Sequence, residues 1–140
     1  MISYRISLLL IVIALTAFTS RSNVPDAVAL QGCVSYEPAK VSLEGTISLR
    51  SFLNASDQKE VVWILRLAKP VCVDAAEDSD FNVKRSRVTD VQLVLEPDMF
   101  NSYRRLLGKR VRATGTLFGE HTAHHFTPVL LDVTQVRLAP

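Results

Sequence analysis

The chain has 140 residues, enough for one domain, and its 16 Lys and Arg stand against 14 Asp and Glu. A balance this close to neutral argues against nucleic acid as a partner, because neutralising phosphates needs a clear positive excess. The sequence contains no Gly-x-Ser-x-Gly nucleophile elbow, no phosphate loop and no paired catalytic carboxylates, so a hydrolase is the last reading to entertain.

Arg5 is the only charge ahead of an apolar run from Ile6 to Phe18, interrupted only by Ser7 and Thr16. The run has the length of a secretory h-region and falls short of the roughly 20 residues that span a bilayer as a helix. Residues 1–22 are therefore expected to be a signal peptide. The cut follows Ser20-Arg21-Ser22, or Ala27-Val28-Ala29 if the segment extends to 29. A signal anchor is the competing reading. Cleavage leaves no stable membrane anchor, places the protein in the periplasm or outside the cell, and removes Arg5 and Arg21, so that 14 basic and 14 acidic side chains remain.

Residues 23–40 carry Pro25, Gly32 and Pro38 without a sustained period and read as an extended lead-in to a domain over 41–140. From Val41 the alternation is clean, with Val41, Leu43, Gly45, Ile47 and Leu49 on one face of a first strand. "NASDQ" (54–58) is turn chemistry. A second strand runs from Glu60 to Leu67 with Val61, Trp63 and Leu65 inward, and Pro70 breaks it. Residues 74–87 form a charged loop, acidic and then basic, whose halves partly neutralise each other, with a mobile binding loop as the competing reading. A third strand, Val88 to Leu95, precedes a helix opened by Pro97 and Asp98. Met99, Tyr103, Leu106 and Leu107 form its stripe, Arg104 and Arg105 favour its last turn, and Gly108 stops it. A fourth strand spans Arg110 to Leu117. The fifth starts near Val129, and its phase slips after Val133, which predicts a bulge at Thr134 or Gln135.

Five short strands with one short helix between the third and fourth is the element order of a mainly β, OB-like Greek-key barrel. Gly45 and Gly115, single glycines inside strands, suit its tight bending. Two cysteines, Cys33 and Cys72, in an exported chain most simply form one disulfide. Extending the first hairpin outward brings both to nearly opposite positions. The rival reading takes "LQGC" (30–33) as a lipoprotein cleavage site, although Gln31 fits it poorly and Cys33 lies far beyond the apolar run.

"CVSYEPAKVSLEG" from Cys33, "VVWILRLAKPVCV" from Val61 and "GKRVRATGTLFGEHTAHHFTPVLLDV" from Gly108 resemble a domain-of-unknown-function family of small exported bacterial proteins. The resemblance spans nearly all of the mature chain. It implies export, a single domain, and a family pattern that includes the cysteine pair and the "HTxHH" element. It lends no activity.

All three histidines lie in "HTAHHF" (121–126). Placing Leu117 opposite Val129 sets His121 opposite His125, within reach of one ion, while His124 points to the other face. Glu120 offers an oxygen. His121, His125, His124 and Glu120 are thus candidate ligands of an open zinc or copper site. The competing reading is a polar turn whose imidazoles bond to the backbone. Trp63 reads as core. Tyr36, Arg50 and Phe126 are candidate members of a binding surface. The expectation is a non-enzymatic binding or accessory module whose ligand, a protein or small molecule, engages the loops between strands one and two and between four and five.

Overall fold

The computed structural model describes residues 32–140. The signal-peptide and cleavage-site expectations fall on residues 1–31 and lie outside them. Five strands are present: β1 (Lys40–Leu53), β2 (Lys59–Val73), β3 (Arg85–Val94), β4 (Arg110–Gly119) and β5 (Val129–Leu138). Among the described residues the one α-helix, α1 (Met99–Tyr103), lies between β3 and β4 and runs into a 3-10 turn, Arg104–Leu106.

The strands close into a ring in the order β1-β2-β3-β5-β4, with β4 returning to β1. All pairs are antiparallel except β3 with β5. Inside the ring sit most of the alternate residues read as inward, among them Leu43, Ile47, Leu65, Val91, Val111, Leu117 and Leu131, whereas Leu49 and Val61, also read as inward, are exposed. Burying each large aliphatic side chain stabilises the fold by about 1.5–3 kcal/mol. Trp63 belongs to the same core.

At Gly45 and Thr46 β1 serves both neighbours, Gly45 being paired with Leu67 of β2 and with Val111 of β4. A Cβ there would stand 2.2 Å from the Arg66 carbonyl oxygen, and one at Gly115 would stand 1.9 Å from that of Asp132. Only glycine permits so close a backbone approach. Opposite Gly115 the register skips Thr134, since Thr114 pairs with Gln135 and Gly115 with Val133. The bulge falls where the phase slip places it.

Two local expectations are corrected. The second strand does not end at Leu67 but continues through Pro70 to Val73. The β2–β3 register jumps between Arg66 and Val71, so Pro70 occupies an irregular stretch that asks for no ladder donor. The helix is shorter than its apolar stripe. Asp98 makes no side-chain cap, and the last residues tighten into the 3-10 turn before Gly108, at φ +74°, reverses the chain. The described part of the lead-in is tied to the strands. The Val34 amide donates to the Cys72 carbonyl (2.9 Å), the Asp74 amide donates to the Val34 carbonyl (3.0 Å), and the Glu37 amide donates to the Leu117 carbonyl (2.8 Å).

Cys33 and Cys72 are disulfide-bonded with their Cα atoms 4.6 Å apart. The pairing is the expected one, but its geometry is not an extended antiparallel hairpin. Val34 bridges Val73 in parallel. Beyond Leu67 the β1 edge of β2 is vacated because β1 pairs there only with β4, and the lead-in takes the open edge.

The charged loop is shorter than expected, since β3 begins at Arg85 and not at Val88, and it is also pinned. Buried Asn82 accepts the Gly119 amide on its side-chain oxygen (2.8 Å), while its carbonyl accepts the Ala76 amide (2.9 Å). Lys84 pairs with Asp74 at 3.6 Å, joining the basic half to the acidic half.

Candidate functional site

The site lies on the outer face of the ring, where β1, β2 and β3 meet the β4–β5 connection. Outward positions on strands are normally polar. Here Ile64, Gln92 and Leu130, which are register neighbours on β2, β3 and β5, are all buried. The 120–128 connection folds over them, and Gln92 holds it. The Gln92 side-chain amide donates to the His124 carbonyl (3.0 Å) and accepts the Phe126 amide (2.8 Å). The Gln92 backbone amide donates to Thr127 Oγ1 (2.9 Å), whose hydroxyl donates to the Val129 carbonyl (2.7 Å). Gln92 and Thr127 are 6% and 5% exposed, so the two bonds of Thr127 are shielded from water and the two of the Gln92 side chain partly so.

The tethering separates the three histidines. In the ladder Leu117 pairs with Leu131 and Gly119 with Val129, two residues from the expected register. The connection nonetheless brings the rings of His121 and His125 together edge to face, 4.6 Å between centroids. The His121 amide donates to His125 Nδ1 (3.1 Å), and His121 Nδ1 lies 2.9 Å from the Gly119 carbonyl. A carbonyl only accepts, so His121 carries its proton on Nδ1. His125 Nδ1 must present a lone pair and is therefore not free to bind an ion. Burial, and then the neighbouring imidazoles His121 and His124, hold His125 below its ordinary 6.5, with Glu120 pulling the other way. Phe118 and Phe81 border this pair, with ring centroids 5.4 to 5.6 Å from the imidazoles.

His124 goes elsewhere, its Nδ1 donating to both Glu60 carboxylate oxygens (2.8 and 2.9 Å). That bond, with one from Asn54, holds the Glu60 carboxyl below its usual range. Glu120 turns to Arg85 at 3.3 Å. The four candidate metal ligands thus divide among three settings. Among the described residues no group of three or more His, Cys, Asp or Glu converges.

Of the candidate binding residues, Arg50 and Phe126 come together and Tyr36 does not join them. Tyr36 is 3% exposed, part of the core, and its hydroxyl donates to the Val83 carbonyl (2.9 Å). Burial raises its phenol above the ordinary 10.0. Phe126 stacks on Phe52, 4.8 Å between nearly parallel rings, and the Arg50 guanidinium lies 5.4 Å over Phe52. This stack lines a groove of about 570 Å³ shared by β1, the start of β3 and the 126–128 turn. Lys84, Arg85 and Arg87 supply its other cations. Its one carboxylate, Asp90, is already engaged by Arg50 (2.8 Å) and Arg66 (3.4 Å).

Sequence reading missed Phe52 and Gln92, while Arg85 and Arg87 lay in the charged segment for which a binding loop was the second reading. A signal existed for one of them. Phe52 shares the outward phase of Arg50, and an aromatic on a polar face beside a turn is unusual. Beyond the helix end, Arg110 (3.2 Å) and Arg112 are spent on structure, both donating to Glu44. Those bonds keep the Glu44 carboxyl below its usual range.

Fold and site together define a small, disulfide-bonded, mainly β domain with an aromatic and basic groove on its outer face. Residues 90–137 match the model of a domain of unknown function, DUF4431. The matched stretch begins at Asp90 and includes Gln92, the helix, β4, the histidine connection and most of β5. No curated protein matches the chain, and no solved structure does.

Proposed function

We propose that this is an exported, non-enzymatic binding module with an OB-like Greek-key barrel, and that its ligand is a small molecule seated in the Arg50–Phe126 groove. The strand order, with β3 and β5 parallel and one helix before β4, supports the OB-like reading. In that architecture the face of strands two and three and the loops flanking it carry recognition. The oxidised cysteine pair supports an oxidising compartment. Among the described residues no helix is long and apolar enough to cross a membrane.

One observation carries the reading: two aromatic rings and a ring of cations converge on one groove of about 570 Å³, within the size range of small-ligand sites. A thermal-shift panel tests it on the purified protein with three probes: benzyl alcohol, benzylamine and phenyl phosphate. At least one probe raises the melting temperature of the wild type and fails to raise that of Phe126→Ala. Equal shifts in both proteins, or no shift with any probe, overturn the groove as the site.

A further inference from the structure

We infer that the groove is built for a dianionic oxyanion carried on a flat or apolar body, the chemistry of an aryl phosphate monoester. The inference rests on the ligand-site reading above and adds the charge and shape of the ligand.

Charge comes first. Arg50, Arg66, Lys84, Arg85 and Arg87 surround the groove or hold its wall. Asp74, Asp90 and Glu120 are the carboxylates they engage. Five cations against three anions leave two positive charges uncompensated, the complement of a dianion. Asp90 is the groove's own carboxylate: two guanidiniums share its charge, although its buried Oδ1 accepts no hydrogen bond.

Two further observations place donors at the groove. Arg85 lines the groove and spends one guanidinium nitrogen on Glu120 (3.3 Å), while its Nε, shielded within the fold on the Tyr36 side, makes no hydrogen bond. Arg87 makes no ion pair among the described residues and sits at φ +53°. A side chain with a Cβ adopts that conformation at an energetic cost, and such residues concentrate where a ligand is gripped. Guanidinium forks match tetrahedral oxyanions better than ammonium groups do.

The apolar part of the ligand follows from Phe52 and Phe126, which line the same groove as the cations. Val88 and Pro128 extend that lining. A bare phosphate would use the cations and leave these surfaces idle.

Isothermal titration of the purified protein tests the inference with phenyl phosphate, inorganic phosphate, benzyl alcohol and an oligothymidylate. Arg87→Gly is the informative variant, because it deletes the charge while relieving the left-handed backbone, so the fold is kept. Phenyl phosphate is expected to bind with inorganic phosphate weaker, benzyl alcohol silent, and a loss of about tenfold in Arg87→Gly at an unchanged or raised melting temperature. Benzyl alcohol binding as tightly as phenyl phosphate overturns the anion inference. Phenyl phosphate affinity unchanged in Arg87→Gly does the same. Either outcome leaves the groove reading standing if Phe126→Ala still abolishes binding. Oligothymidylate binding more than about tenfold tighter than phenyl phosphate overturns the inference in favour of single-stranded nucleic acid. Silence from every probe overturns both the inference and the reading beneath it.

Discussion

Replacing Gln92 by Leu tests whether one side chain holds the β4–β5 connection over the ring. Leucine has similar bulk, so the change removes hydrogen bonding without opening a large cavity. Two bonds are lost, the donation to the His124 carbonyl (3.0 Å) and the acceptance of the Phe126 amide (2.8 Å). A net hydrogen bond contributes about 1 kcal/mol, and a partner left buried costs about 1–3 kcal/mol. The stranded groups lie in a half-exposed connection that water partly reaches, so the expected total is about 2–3 kcal/mol. Thr127→Val removes the acceptor of the Gln92 backbone amide (2.9 Å) and the donor to Val129 (2.7 Å), at a similar cost. Both changes release the same segment, so their combination should fall short of additivity by about 1 kcal/mol. Urea unfolding at constant m-value measures all three variants. Amide exchange at Phe126 should accelerate in Gln92→Leu. A loss under about 0.5 kcal/mol for Gln92→Leu, or strict additivity with Thr127→Val, refutes the clamp.

The Cys33→Ala/Cys72→Ala variant loses a cross-link spanning 39 residues, about 4 kcal/mol in the chain-entropy account. Calorimetry should show a melting temperature lower by about 15–30 °C. Gly115→Ala drives a Cβ to within 1.9 Å of the Asp132 carbonyl oxygen and should cost about 3 kcal/mol or more in urea unfolding, because backbone has to move. Acidification should destabilise the fold in two stages. His125 is held below 6.5, so the unfolded chain takes its proton first and stability drops as pH falls from 6.5 towards the folded value. Glu60 and Glu44 are held below 4.5, and their contribution, complete above that pH, is lost as pH falls from 4.5 through their folded values. Unfolding measured against pH should lose its first stage in His125→Gln and keep its second.

Much of the fold was legible because strand periodicity is a local signal. Leu43, Ile47, Leu65, Val91, Val111 and Leu131 alternate as a half-buried face must, and all are buried. The slip after Val133 located the bulge. What the residues did not reveal depends on partners distant in sequence. Cys33 and Cys72 were paired correctly, yet their parallel approach depends on β1 leaving β2 at Gly45, which no local pattern encodes. Pro70 reads as a strand end and sits inside a strand, because the register jump that accommodates it is set by β3. At the site, the histidine motif drew attention to imidazoles, whereas the residue that organises the connection is Gln92, 32 positions before His124. Tyr36 reads as a surface aromatic because the lead-in shows no period, and it is core because Glu37 is tied to Leu117. The groove itself joins residues from 50 to 128 and has no contiguous signature.

The most direct measurement is an amide chemical-shift map of the protein titrated with phenyl phosphate. The groove account predicts that the largest changes fall on Arg50, Phe52, Arg85, Arg87 and Phe126, with the helix end at Arg104, Arg105 and Lys109 unmoved. Shifts centred on that helix end, or spread without focus over the basic surface, would contradict it.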